Sequence, residues 1–117
     1  MDARRRSLLS LVLVVLVVSA AVQWWHGWRE ARLGEALAQR AAAGDIHMLA
    51  SEHCDGCEFA RHWLTQYGVR FTECSIDHDA RCAEALRALN LSATPVVLVR
   101  GKPQLGFDPQ RVLDSLG

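Results

Sequence analysis

Cys54-Asp55-Gly56-Cys57 is the stretch on which the reading of this chain turns. It stands between a short apolar run, Ile46-His47-Met48-Leu49-Ala50, and a run of helix formers from Glu58 to Tyr67. Two cysteines at that junction read as a redox couple on the first turn of a helix that follows a buried strand. A helix start carries unpartnered N–H groups and the positive end of the peptide dipole, and both favour a thiolate over a thiol. Cys54 is therefore the attacking sulfur. Three residues along the helix bring the Cys57 sulfur back to the same face, where it can close a disulfide and resolve a mixed one. His53 favours the thiolate when protonated; an exposed loop histidine with no role is the equal alternative.

Working outward, Ile46 to Ala50 is bounded by Gly44-Asp45 and Ser51-Glu52 and reads as a strand buried on both faces. Cys57, Ala60, Leu64 and Tyr67 form the inward stripe of the helix after it, and Gly68 ends that helix. A second strand is expected over Val69 to Ile76. Asp77 or Asp79 caps the next helix, with Cys82, Ala85, Leu86 and Leu89 inward. The β-branched run Thr94-Pro95-Val96-Val97-Leu98-Val99 reads as a central strand with a tolerated proline at its head. Arg100-Gly101-Lys102-Pro103 reads as a turn into a short strand, Gln104-Leu105. Asp108-Pro109 is an N-cap and N1 pair for a last helix that buries Val112, Leu113 and Leu116. The order β, α, β, α, β, β, α predicts an α/β domain: a four-stranded mixed sheet with helices on both faces.

Three features in this order resemble the thioredoxin-fold redox proteins, and within them the glutaredoxin-like branch: Cys54-Asp55-Gly56-Cys57, Thr94-Pro95 heading a hydrophobic strand, and Gly106-Phe107-Asp108-Pro109 before the final helix. The likeness covers about Asp45 to Gly117. Its last stretch is similar to the small glutaredoxin-like electron donors of ribonucleotide reductase. The resemblance implies a cis Pro95 beside the disulfide and a Thr94 backbone that pairs with a bound peptide or thiol. On this resemblance Gly106, Phe107 and Asp108 join Thr94 and Pro95 as candidate substrate-binding residues, and His53, which flanks the nucleophile, is a further candidate. The resemblance implies protein disulfide or dithiol substrates, or small thiols; a membrane electron donor is a further partner if the couple is strongly reducing.

Two departures qualify it. Asp55 puts a carboxylate beside the nucleophile, which opposes thiolate formation, and Gly56 loosens the helix start. Where typical glutaredoxins have paired glycines before the aspartate, only Gly106 stands here, followed by Phe107. This argues against glutathione as a bound partner, and no cofactor is expected beyond the redox-active disulfide.

The remaining cysteines leave two questions open. Cys82 lies on an apolar stripe, where a buried inert thiol is the default; in an oxidising compartment it can instead pair with Cys74. The competing reading is a zinc or copper(I) carrier in which His53, Cys54 and Cys57 join Cys74, Cys82 or His78. His47, His62 and His78 otherwise read as surface or strand-end residues.

Ahead of the domain, Arg4-Arg5-Arg6 precede an apolar run from Leu8 to Val22, broken only by Ser10 and Ser19 and followed by Trp24, Trp25 and Trp28. Charge, apolar run and interfacial aromatics in that order describe a membrane anchor over residues 1–28. A cleavable signal peptide, cut near Val18-Ser19-Ala20-Ala21, is the alternative. Residues 29–44 read as a helical stalk ending at Gly44, and residues 45–117 as the redox domain. The arginine bias predicts a cytoplasmic N-terminus and a domain on the extracytoplasmic, periplasmic side of a single-pass anchor. Lys and Arg balance Asp and Glu at 13 each over the chain. From Asp45 onward the count is seven basic against ten acidic, a net of −3 that disfavours nucleic acid as a partner.

Overall fold

The computed structural model describes residues 2–117, which fall into two compact units, one ending at Arg32 and one running from Leu33 to Gly117. Helix α1, Ala3–Arg40, is continuous through the composition change at residue 28. In the first unit its leucines and valines from Leu8 to Val22 all face solvent. Trp25 and Trp28 stand 5.7 Å apart, and the Arg32 guanidinium lies 4.8 Å over the Trp28 ring. By length and composition this helix can cross a membrane.

The second unit consists of the end of α1 followed by β1 (Ile46–Ala50), α2 (Asp55–Gln66), β2 (Thr72–Ser75), α3 (Ala80–Ala88), β3 (Val96–Val99), β4 (Lys102–Leu105) and α4 (Pro109–Leu116). The sheet order is β2-β1-β3-β4, with β1 parallel to β2 and β3 antiparallel to both β1 and β4. This is the expected four-stranded mixed sheet. Strand alternation divides the core between its faces. Ile46, Met48, Ala50, Val97 and Val99 pack with Leu64 of α2 and Val112 and Leu116 of α4. Leu49 and Val96 face the other way, onto Cys82 and Leu86 of α3.

The end of α1 belongs to the first of these cores. Leu37 and Ala41 are buried in it, so Leu33–Arg40 are part of the domain's packing and not a solvated spacer. Gly34, which weakens the helix on propensity alone, is buried where a Cβ would run into the Tyr67 ring, so only glycine lets the two helices approach this closely. The helix stops at Arg40, earlier than Gly44, because Asp45 turns the chain by accepting the Ala42 N–H at 2.9 Å.

Three other boundaries move. The second strand begins at Thr72 because the Val69 N–H is spent on Leu64 O at 2.9 Å, closing the end of α2 around Gly68. The third begins at Val96, after Pro95. The hairpin turn is only Arg100-Gly101, both with positive φ (50° and 84°), the left-handed pair that two-residue hairpins require. Lys102 and Pro103 are thereby freed to join β4, an edge strand where a proline is tolerated. Of the two candidate caps for α3, Asp79 is the one used, accepting the Arg81 N–H at 2.9 Å.

Candidate redox site

Cys54 is the N-cap of α2, with extended backbone (φ −136°), and its Sγ accepts the Cys57 N–H at 3.1 Å. The helix start thus directs a donor at the sulfur, as its unpaired N–H groups lead one to expect. The two cysteines are joined as a disulfide, Cα to Cα 5.2 Å. Both are buried, but unequally: Cys54 is 8% exposed and Cys57 1%. Cys54 is thus the more exposed residue of the pair.

Neighbouring loops hold this cap in place. The Glu52 N–H donates to Asp77 Oδ2 at 2.7 Å, and Glu52 Oε1 pairs with His78 Nε2 at 2.7 Å. The Ser51 and Thr94 hydroxyls bond at 2.6 Å, tying the loop before Cys54 to the segment that leads into β3. The Thr94-Pro95 peptide is cis. A Cβ on Gly56 would lie 3.0 Å from Pro95 Cδ, so the proline ring sits against the first turn of α2, beside the disulfide. Gly56 therefore does more than loosen the helix: it leaves room for that ring.

Pro95 O accepts the Gly106 N–H at 2.8 Å, which brings the loop before α4 to the same place. Phe107 follows, half-buried against the core cluster that contains both cysteines. Its ring is 6.2 Å from Phe59 and 5.7 Å from Trp63. Asp108 acts as the N-cap of α4: its Oδ1 accepts the Gln110 N–H at 3.0 Å, and Arg111 Nε lies 3.5 Å from its Oδ2. His53 is exposed on the loop. The fold thus gathers Cys54, Cys57, Thr94, Pro95, Gly106 and Phe107, with His53 alongside and Asp108 one residue beyond.

Sequence reasoning missed Trp63 and Phe59. Trp63 is buried three residues after Ala60 and four before Tyr67, so the same helical periodicity contained it. Phe59, outside that stripe, gave no signal.

Cys82 is not an inert thiol: it forms a second disulfide with Cys74, Cα to Cα 6.0 Å, on the α3 face of the sheet. With those two sulfurs joined to each other, no set of three or more His, Cys, Asp or Glu among the described residues converges as a metal site. Arg61 of α2 reaches Glu73 of β2 with two hydrogen bonds, 2.7 and 2.9 Å, and hydrogen bonding to Glu73 holds its guanidinium above its ordinary pKa.

A helix-capping Cys-x-x-Cys and a cis proline on this sheet order define a thioredoxin fold. The structure is similar to the thioredoxin-like protein BC3987 at 21% identity and a TM-score of 0.53, covering 60% of this chain and 97% of that one. It is also similar to a glutaredoxin from Archaeoglobus fulgidus (19% identity, TM-score 0.50, 62% and 85% covered). The holo form of glutaredoxin C1 from Populus tremula x tremuloides is similar at 20% identity and a TM-score of 0.50, with 76% and 99% covered. A search of curated proteins finds no match. The Glutaredoxin family profile matches residues 46–103, a span that includes both Cys54-Cys57 and Thr94-Pro95. The chain is a thioredoxin-fold, glutaredoxin-like protein, and with the Cys54–Cys57 pair its function is of the thioredoxin-like redox kind.

Proposed function

We propose that the protein is a thiol–disulfide oxidoreductase in which Cys54 attacks and Cys57 resolves. The observation that carries this is the Cys57 N–H aimed at Cys54 Sγ from the first turn of α2, with the less exposed sulfur as its disulfide partner. In the reducing direction the Cys54 thiolate attacks one sulfur of a substrate disulfide. That S–S bond breaks, the leaving thiolate takes a proton, and a mixed disulfide joins Cys54 to the substrate. Cys57, deprotonated, then attacks Cys54 Sγ. The second substrate sulfur leaves as a thiol, and the enzyme disulfide re-forms. Two electrons and two protons pass to the substrate, and the reverse sequence oxidises a dithiol. Pro95 and the Thr94 backbone border the attacked sulfur and align the substrate chain. The protein's partners are disulfide or dithiol substrates and a donor that restores its own dithiol.

The domain works outside the cytoplasm, held by α1. Arg4, Arg5 and Arg6 precede the apolar stretch, and a second disulfide, Cys74–Cys82, suits an oxidising compartment. A reporter enzyme active only outside the cytoplasm, fused after Gly117, gains activity on this reading; activity only from a cytoplasmic reporter overturns it.

Turnover of 2-hydroxyethyl disulfide and of insulin tests the chemistry. Cys54→Ser abolishes both. Cys57→Ser accumulates a mixed disulfide that a thiol reductant releases. Full turnover by the Cys54→Ser protein defeats the assignment.

A further inference from the structure

Resting on that reading, the surface around Cys54 indicates which disulfides the enzyme takes. In the domain from Leu33 onward only two large hydrophobic side chains are exposed, Phe59 and Leu105. Leu105 pairs with Val96, whose side chain faces α3, so it lies on the sheet face away from α2. Phe59, 57% exposed, lies two residues after Cys57 and meets Phe107, which rests in turn on Trp63. The result is an aromatic shelf from Phe59 on α2 to Phe107, one residue after the Gly106 N–H that bonds Pro95 O, open at Phe59 and anchored at Trp63. A lone exposed phenylalanine says little; one joined to a half-buried ring and a buried one, next to the segment that carries Pro95, marks a contact surface.

Charge selects the occupant. Asp55 and Glu58 are exposed in the first turn of α2; Asp55 is four residues before Phe59 and three before Glu58, the spacings of helix neighbours. Two arginines and one histidine of the domain are engaged elsewhere, while His53 and His62 are exposed. Arg61 gives both its hydrogen bonds to Glu73, Arg111 lies against Asp108 and bonds Leu105 O, and His78 pairs with Glu52. The shelf is therefore apolar with an acidic rim. Glutathione, with two carboxylates and one ammonium, meets repulsion here, and so does an anionic lipid surface.

We propose that this shelf selects protein disulfides whose flanking residues are apolar and basic: an aromatic or aliphatic side chain seats on Phe59 and Phe107, and a Lys or Arg meets Asp55 and Glu58. Complementary surface charge of this kind acts on encounter and specificity and is screened by salt.

The full-length protein in detergent micelles is assayed on two peptide disulfides that share a leucine beside the cysteine and differ only in flanking lysines or glutamates, with 2-hydroxyethyl disulfide as the uncharged reference. The expected kcat/KM ratio of basic to acidic peptide is about tenfold at low salt, falling toward unity at high salt. The Asp55→Asn, Glu58→Gln double variant brings that ratio close to one. Phe59→Ser lowers both peptides relative to the reference disulfide within the same variant. Ratios taken within each protein cancel any change in the nucleophile itself. Equal turnover of the two peptides, or a ratio that survives the double variant, overturns this proposal and leaves the redox assignment standing. Failure to turn over 2-hydroxyethyl disulfide as well overturns both.

Discussion

Glycine 56 and glycine 34 both read as weaknesses in a helix, and both are places where another ring arrives. At 56 the neighbour is Pro95, 3.0 Å from where a Cβ would stand, and a proline ring cannot rotate away. Gly56→Val therefore pushes the proline from the disulfide, and turnover of 2-hydroxyethyl disulfide is expected to fall severalfold while the far-ultraviolet circular dichroism stays native. At 34 the neighbour is Tyr67, whose Cβ is 2.7 Å from the same kind of point. Gly34→Ala overpacks that contact and is expected to cost about 1–3 kcal/mol, read as a lower midpoint in urea at unchanged slope. Neither role is legible in the sequence, because propensity describes a residue's own backbone whereas the constraint comes from a ring tens of residues away. The redox cysteines are legible for the opposite reason: their chemistry needs only spacing and a helix start.

Elements show the same division. Helices α2, α3 and α4 announce themselves by apolar stripes and capping residues, and the caps Asp79 and Asp108 accept the expected N–H groups. Replacing Asp108 by Ala is expected to cost about 1 kcal/mol through loss of the α4 cap, seen as a fall in urea midpoint. The staple between β2 and α3 is harder to read, since a spacing of eight residues permits a bond without requiring it. Cys74–Cys82 closes a short loop, and the double Cys→Ser variant is expected to lose about 2–3 kcal/mol, lowering Tm by roughly 10–20 °C. The loop it closes carries Asp77 and His78, which hold Glu52 two residues before Cys54. An unchanged Tm in that variant shows the staple to be dispensable.

At the scale of the whole molecule, composition separates an apolar helix from a mildly acidic domain, but packing sets the border. Leu37, fully buried, and Ala41 lie in the core beneath α2 and α4, so a chain begun at Leu33 retains the domain's stability. One begun at Asp45 loses the Leu37 burial, about 1.5–3 kcal/mol, and melts correspondingly earlier. The full chain is expected to remain in the membrane pellet after washing with high salt and alkaline carbonate, while the Leu33 chain is soluble; release of the full chain by either wash would show that α1 does not span the bilayer. Spacing and periodicity within the chain determined the redox pair, the helix stripes, the order of elements and the apolar N-terminal run, since each of these is written in neighbours a few residues apart. Only the tertiary structure decided which glycines admit a ring, that Cys74 joins Cys82, that α1 ends inside the core, and that Phe59 and Phe107 form one surface, because each depends on distances between segments remote in sequence.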